Sequence, residues 1–366
     1  MQKNNRIGID IRLWSHPCIG RYIRELVGQM NALKPLRSIH LLGYAEDLKK
    51  TSALFNQREV SSKIYSLGEQ WEMTAKSKDL ALLHTPHFNI PVMRPGKLVA
   101  TIHDLIYLHD AKSSKSRLGK PYAQFLFKKI EEKASAILTV SEYTKNDLLN
   151  HFPNISSEKV FVTHEAVSPF FKKMTDGQEL EIARRKFSFL KPFVLFVGSL
   201  KDHKNIPALI EAVRSVRLEK KIEVELVVVG RRDMKNKRLW ELIIKNREFV
   251  KYLGELPDED LLKIYNLAQV FVLPSLREGF GLPVLEAMAC GTPVIVSNRT
   301  SLPEIAGGAG LVFDANRVDE LASLLYTVWT DASLRESLSV KGLARASEFS
   351  WKKTADKTLQ VYEKVL

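Results

Sequence analysis

Short apolar runs recur along the chain at intervals that leave room for a helix between each pair. In the first half they fall at 6–11, 38–42, 80–84, 97–102, 136–140 and 160–162. In the second half they fall at 193–197, 224–229, 250–253, 270–273 and 293–296. Short runs that are apolar on both faces suit parallel strands covered by helices on either side, because such strands have no wet face. Strands of this kind alternating with helix-length segments predict two doubly wound α/β domains in series. The segment 171–190, with Phe171-Lys172-Lys173 and Arg184-Arg185-Lys186, has mixed charge and no strand pattern, and is read as the interdomain connection. The predicted division is therefore 1–170 for the first domain, 191–348 for the second and 349–366 for a terminal helix. Leu359, Val361, Tyr362 and Leu366 share one face of that helix.

A length of 366 residues fits two domains. Cys18 and Cys290 are the only cysteines, too few and too far apart for a disulfide framework, so a reducing compartment is expected. The N-terminal residues run into a strand pattern rather than a signal segment, and no apolar stretch reaches membrane-spanning length. The expectation is a cytoplasmic protein, soluble or peripheral on the inner face of the membrane. A formal charge of +13 calls for an anionic partner: nucleic acid, an acidic bilayer or a phosphorylated substrate. No aromatic-rich single-strand motif accompanies the charge, so nucleic acid is not expected. Six basic residues and no acidic one lie between Lys112 and Lys129, and Leu118, Tyr122, Phe125, Leu126 and Ile130 are predicted on one helical face. Such a helix either packs on its own sheet or lies on an anionic membrane.

The densest chemistry follows the run 270–273. Gly279 and Gly281 loosen a turn, Pro283 suits the first helical position, Gly291 stops the helix, and the run 293–296 follows. The unit reads as a right-handed βαβ crossover whose loop opens at the carboxyl end of a parallel strand, where open α/β sheets bind ligands. Backbone N–H groups near Phe280, Gly281 and Leu282, backed by the helix dipole, would donate to phosphate oxygens. Glu278 precedes the helix and Glu286 stands about one turn inside it. A carboxylate beside a phosphate must face something other than the phosphate, and sugar hydroxyls are suitable donors. The pair therefore points to a nucleotide sugar, with ribose on one side and hexose on the other.

The stretch from Glu278 to Glu286 resembles the E-x7-E motif of retaining glycosyltransferases of family 4. Further matches are Gly20-Arg21-Tyr22, His103-Asp104-Leu105, Thr139-Val140-Ser141-Glu142, Val197-Gly198-Ser199-Leu200 with Lys204-Asn205, and Phe349-Ser350-Trp351. The resemblance covers nearly the whole chain. It implies the GT-B fold, in which two Rossmann-like domains face each other across a cleft and the last helix crosses back onto the first domain. It further implies hexosyl transfer from a nucleoside diphosphate sugar to a glycan or lipid-linked glycan in bacterial polysaccharide or lipopolysaccharide synthesis. GDP-mannose is the first donor expected and a UDP-hexose the alternative.

By the same resemblance Glu286 binds ribose hydroxyls, Glu278 a hydroxyl of the transferred sugar, and His103, at the end of the run 97–102, the donor sugar near the reacting carbon. His103 and Glu278 are thus the expected catalytic residues. Gly20, Lys204, Arg231, Gly279, Phe280, Gly281, Leu282 and Glu286 complete the expected donor site with Glu278. Family members commonly pair the lysine with an arginine just before it. This chain has His203 there and Ser199 upstream, so the second cation stays open: Arg231 and Arg232 are candidate substitutes, and each reads equally well as a solvated surface charge.

No metal is expected. His84, His87, His103 and His109 match no helical zinc spacing, and Pro86 makes their first segment a loop. Asp258-Glu259-Asp260 reads as an N-cap followed by first-turn acids. Two rival enzymes remain at this level. A retaining glycosidase would use Glu278 and Glu286 as its two carboxyl groups, and an epimerase of the same fold would act on a nucleotide sugar without an acceptor.

Overall fold

A computed structural model describes residues 6–33, 35, 37–109 and 119–366. They fall into two compact units, Met1–Glu165 with Ser350–Leu366, and Ala166–Phe349.

The first unit contains β1 (Arg6–Asp10), β2 (Ser38–Gly43), β3 (Asn56–Glu59), β4 (Leu82–Thr85), β5 (Lys97–Ile102), β6 (Ala136–Thr139) and β7 (Val160–Val162). They form one parallel sheet in the order β3-β2-β1-β4-β5-β6-β7. The order turns between β1 and β4, so the loops leaving their carboxyl ends diverge to opposite faces and open a crevice there. The last helix, Trp351–Val365, packs within this unit against Ile19–Leu33. It is fixed by polar contacts as well as by its apolar face. Tyr362 Oη lies 2.5 Å from Nδ1 of the buried His84, Thr354 donates to the His164 carbonyl at 2.5 Å, and Arg37 pairs with Glu363 at 2.8 Å.

The second unit contains β8 (Phe193–Val197), β9 (Glu225–Val229), β10 (Val250–Gly254), β11 (Val270–Leu273), β12 (Val294–Ser297) and β13 (Leu311–Phe313), a six-stranded parallel sheet in the order β10-β9-β8-β11-β12-β13. Val270, Phe271, Val272 and Leu273 are all fully buried, each contributing about 2 kcal/mol by leaving water. Here the order turns between β8 and β11. Two α/β units with parallel sheets of this order make the fold GT-B, with two Rossmann-like domains.

Several local features depart from the sequence reading. The strand Asn56–Glu59 has no apolar run because it is a largely exposed sheet edge. The segment 171–190 lies inside the second unit, where Gly177–Lys186 is a helix capped by Asp176 and packed on Asp258–Leu267. Its charged residues cover an exposed face of that helix. Asp258 is the first helical residue and Pro257 the cap; Asp260 pairs with Lys186 at 2.7 Å. Leu118 and the other residues of 110–118 lie outside the described residues, and the described helix begins at Gly119. On it Leu126, Phe127 and Ile130 are buried while Phe125 is 46% exposed, so the inward face is one residue further round than expected. Among the described residues no helix is long and apolar enough to cross a membrane.

Candidate active site

The loops leaving β8 and β11 meet at the turn in strand order of the second unit. A side chain at Gly230 would place its Cβ 2.0 Å from the Gly198 carbonyl oxygen, so glycine alone lets the ends of β8 and β9 approach this closely. Beyond Gly198 a short turn, Asp202–Lys204, ends at Asn205 in the left-handed conformation (φ 54°). The Leu276 amide donates to the His203 carbonyl at 2.7 Å, which fastens this turn to the loop after β11. Lys204 Nζ then reaches Glu278 Oε1 at 2.6 Å, with both side chains mostly buried.

Glu278 is held from three sides. Ser275 Oγ donates to the same carboxylate oxygen at 2.6 Å, and the Glu278 amide donates to Thr300 Oγ1 at 2.9 Å. Ser301 Oγ bridges the carbonyls of Glu278 and Phe280 at 3.1 and 2.8 Å. Gly281 follows at φ 115° as the cap of the helix Leu282–Ala289, which places Pro283 at the second helical position rather than the first. A Cβ on Gly281 would lie 2.9 Å from Leu302 Cδ2, a second reason for glycine there. Val284 N bonds back to the Gly281 carbonyl at 2.9 Å, so the amides of Gly281 and Leu282 precede the helical ladder, where orphan donors and the dipole favour an anion. Phe280 is buried with its ring edge-on to Phe349.

Glu286 lies in the second turn, only 3% exposed, and its Oε2 accepts from Tyr265 Oη at 2.8 Å. Tyr265 is itself fully buried, and its carbonyl accepts from Thr292 Oγ1 at 2.6 Å. The carboxylate is therefore set in a fixed orientation rather than left mobile. Arg231, just past β9, is exposed, and its carbonyl accepts from the Leu200 amide at 2.9 Å. Arg232 lies over the Trp240 ring, 3.9 Å from its centroid, a cation–π position. Gly279, like Glu278, is half-buried on the loop.

The first unit carries its own polar group at the carboxyl ends of its strands. His103 follows β5; its Nδ1 is 3.1 Å from Glu165 Oε1 and its Nε2 3.1 Å from the Pro86 carbonyl, with the Tyr22 ring edge-on at 4.9 Å. Asp104 Oδ1 accepts from the Ile106 amide at 2.9 Å and caps the next turn. Beside β1, Arg12 is buried between Asp10 at 2.7 Å and Glu69 at 2.7 Å, and Glu69 also accepts from Asn89 at 2.8 Å. Burial works against the Arg12 charge, but the two carboxylates outweigh it and hold its pKa above the ordinary value. Gly20 has a packing role: a Cβ there would sit 2.3 Å from the Trp14 carbonyl and 2.9 Å from that of Leu13. His84 and His87 are buried, which pushes both down to about 3. His84 is bonded through both ring nitrogens, to Tyr362 and to Thr101.

The sequence reading named Lys204, Glu278 and Glu286, of which the structure joins the first two directly, but it did not name the residues that contact them: Ser275, Thr300, Ser301 and Tyr265. It likewise missed Glu165. Lone hydroxyl residues give no periodic signal, and their roles exist only through contacts distant in sequence.

The family description "Glycosyl transferases group 1" matches residues 179–345, and "Glycosyltransferase Family 4" matches residues 53–169. The chain is 34% identical to "O-antigen chain mannosyltransferase B" of Escherichia coli over 77% of its own length and 74% of that protein. It is 31% identical to "Serotype-specific mannosyltransferase WbdA" of the same organism over 74% of its length, a match that spans only 34% of that longer protein. Among solved structures, Anabaena Alr3699/HepE in complex with UDP and glucose superposes with a TM-score of 0.77 at 17% identity, covering 99% of this chain and 100% of that one.

Proposed function

The chain belongs to glycosyltransferase family 4, and from that premise we propose that it moves a mannosyl unit from GDP-mannose to a glycan or lipid-linked glycan hydroxyl in bacterial surface polysaccharide synthesis, with retained configuration. The mannosyltransferase names of the relatives support the sugar and the process. The observation that carries the reading is the contact of Lys204 with Glu278 beside a glycine-capped helix start, at the turn in strand order. It puts a cation, a carboxylate and two leading amides within one loop system, the groups a diphosphate joined to a sugar requires.

In this reading Lys204, with the amides of Gly281 and Leu282, takes the diphosphate. Glu278 accepts from a hydroxyl of the transferred sugar, and Glu286, oriented by Tyr265, accepts from the ribose. His103, in the first unit, is the second group we assign to the sugar-transfer step, and Glu165 sets its ring. As the bond from the anomeric carbon to the phosphate oxygen breaks, negative charge grows on the diphosphate and positive charge on the carbon. Preorganised donors lower that barrier, and one well-placed donor is worth about 3 to 4 kcal/mol in comparable oxyanion sites. The acceptor oxygen attacks from the face the phosphate leaves, and its proton passes to the departing phosphate oxygen. This route to retention needs no nucleophile from the protein.

A ligand that binds only the folded state raises stability by about 2.7 kcal/mol at a hundred times its Kd. Thermal unfolding with GDP and with UDP therefore tests the donor: stabilisation by GDP alone is the expected result, and stabilisation by UDP alone would replace the base. Anomeric coupling in the NMR spectrum of the product tests the stereochemistry. A β-linked product from GDP-α-mannose would overturn retention.

A further inference from the structure

Away from the residues assigned to sugar transfer, His109, Asp147 and His151 converge on one point of the first unit. His109 ends the short helix Ile106–His109 that follows β5, while Asp147 and His151 lie four residues apart on the helix Glu142–His151 that follows β6. That spacing puts two side chains on one helical face. His109 Nε2 is 2.9 Å from Asp147 Oδ2, His151 Nδ1 is 3.2 Å from Asp147 Oδ1, and one ligand atom from each residue can be chosen so that all lie within 4.8 Å of one another. The two imidazole rings stand edge to face at 4.6 Å. It is the one such group among the described residues.

We infer that this cluster is a binding site for a borderline divalent cation of the zinc class. Two imidazoles and one carboxylate suit Zn²⁺, Co²⁺ or Ni²⁺, whereas magnesium and calcium prefer oxygen ligands throughout. Metal–ligand bonds of about 2.0 to 2.2 Å require ligand atoms roughly 3 to 4 Å apart, close to the spacing seen. His151 Nδ1 also lies 2.9 Å from the Asp147 main-chain carbonyl. Metal binding through this nitrogen, the one that faces Asp147, displaces that contact and requires the nitrogen to carry no proton. Three protein ligands leave room for water in a fourth position.

The consequence is structural. A bound cation would tie the segment leaving β5, which carries His103, to the helix leaving β6. The cation has no part in the transfer chemistry proposed above, and the site stands or falls apart from that proposal.

The same distances suit a simpler arrangement in which Asp147 only accepts hydrogen bonds from two rings, and the two arrangements answer differently to added metal. The full chain, stripped with chelator, is titrated with Zn²⁺ by calorimetry at pH 7.5 in two buffers of different ionisation enthalpy, and its unfolding temperature is followed in parallel. The expected result is one Zn²⁺ per chain, a raised unfolding temperature and a proton release visible as a buffer-dependent heat. His151→Ala and Asp147→Asn should each weaken binding at least about tenfold and remove the thermal gain. His151 is exposed and alanine favours helix, so the His151→Ala chain should fold; its circular dichroism verifies this. Absence of Zn²⁺ binding in the unaltered chain, or an affinity in either variant equal to that of the unaltered chain, overturns the proposal.

Discussion

Lys204 Nζ lies 2.6 Å from Glu278 Oε1, although 74 positions separate them, because β8 and β11 are neighbours and their loops leave on the same side. The pair is mostly buried, so each charge depends on the other. A diphosphate would compete with Glu278 for Lys204. Replacing Glu278 by Gln removes that competition, and a carboxylate that repels phosphate, while deleting a strong acceptor for the sugar. The expected outcome is GDP affinity equal to or tighter than that of the unaltered protein, with turnover down at least about a hundredfold, the scale of one lost charged contact in a transition state. Lys204→Ala should instead weaken GDP. Calorimetry with GDP and a single-turnover assay separate the two effects, and weaker GDP binding by Glu278→Gln would refute the competition.

Glu286 and Tyr265 form a buried contact at 2.8 Å, so replacing either changes stability as well as binding. Tyr265→Phe removes one hydrogen bond to a carboxylate and should cost about 1.5 to 3 kcal/mol of stability. Glu286→Gln keeps the shape and can still accept from Tyr265. It should lower GDP affinity about tenfold or more while the unfolding temperature stays within a few degrees. Unchanged GDP affinity in a folded Glu286→Gln protein would remove the ribose role.

The parts of this architecture visible in the sequence are those whose burial is repeated along the chain. Strands such as Val270–Leu273 are covered on both faces and so read as unbroken apolar runs, which was enough to place the loop of Glu278 at a strand end. Asn56–Glu59 is a largely exposed sheet-edge strand and gave no signal; Leu311–Phe313, at an edge of the second sheet, is apolar but only three residues long, with Phe313 alone fully buried. Gly281 and Gly291 were readable because their positive φ values exclude most other residues. Ser275, Thr300 and Ser301 were not, since a hydroxyl that holds a loop looks the same in sequence as one in water. The helix Gly177–Lys186 was missed for a related reason: Ala183 is its only buried residue, so it shows no apolar stripe.

Glu165 is nearly buried, and its carboxylate meets His103 Nδ1 at 3.1 Å. In the proposed reaction it would act only through that ring. Glu165→Gln keeps the size but presents either a neutral oxygen or an amide to the histidine. Turnover should fall roughly tenfold to a hundredfold, as for other partners of a catalytic ring, with GDP affinity unchanged and a shifted pH–rate profile. Glu165→Asp should recover part of the activity. A profile of unaltered shape with normal turnover would leave Glu165 a packing residue only.

His84 and His87 make the first unit sensitive to mild acid. Burial, reinforced by the nearby His103, lowers both to about 3, against about 6.5 in an unfolded chain. The neutral form is built into the structure: the Asn89 amide donates to His87 Nδ1 at 3.3 Å, and His84 is enclosed by Thr101 and Tyr362. As pH falls below 6.5 the unfolded chain takes up protons that the folded chain refuses, so their contribution is complete above that pH and is lost progressively down towards 3. Each histidine removes about 1.4 kcal/mol per pH unit in that window, or roughly 3 kcal/mol per unit for the two together. The urea midpoint should therefore drop clearly between pH 6.5 and 5.5 and stay level between 8 and 7. His87→Asn, which deletes one of the two titrating groups, should make the fall shallower even if it lowers the plateau. Midpoints that do not move between pH 6.5 and 5.5 would show that the two rings are protonated in the folded protein after all.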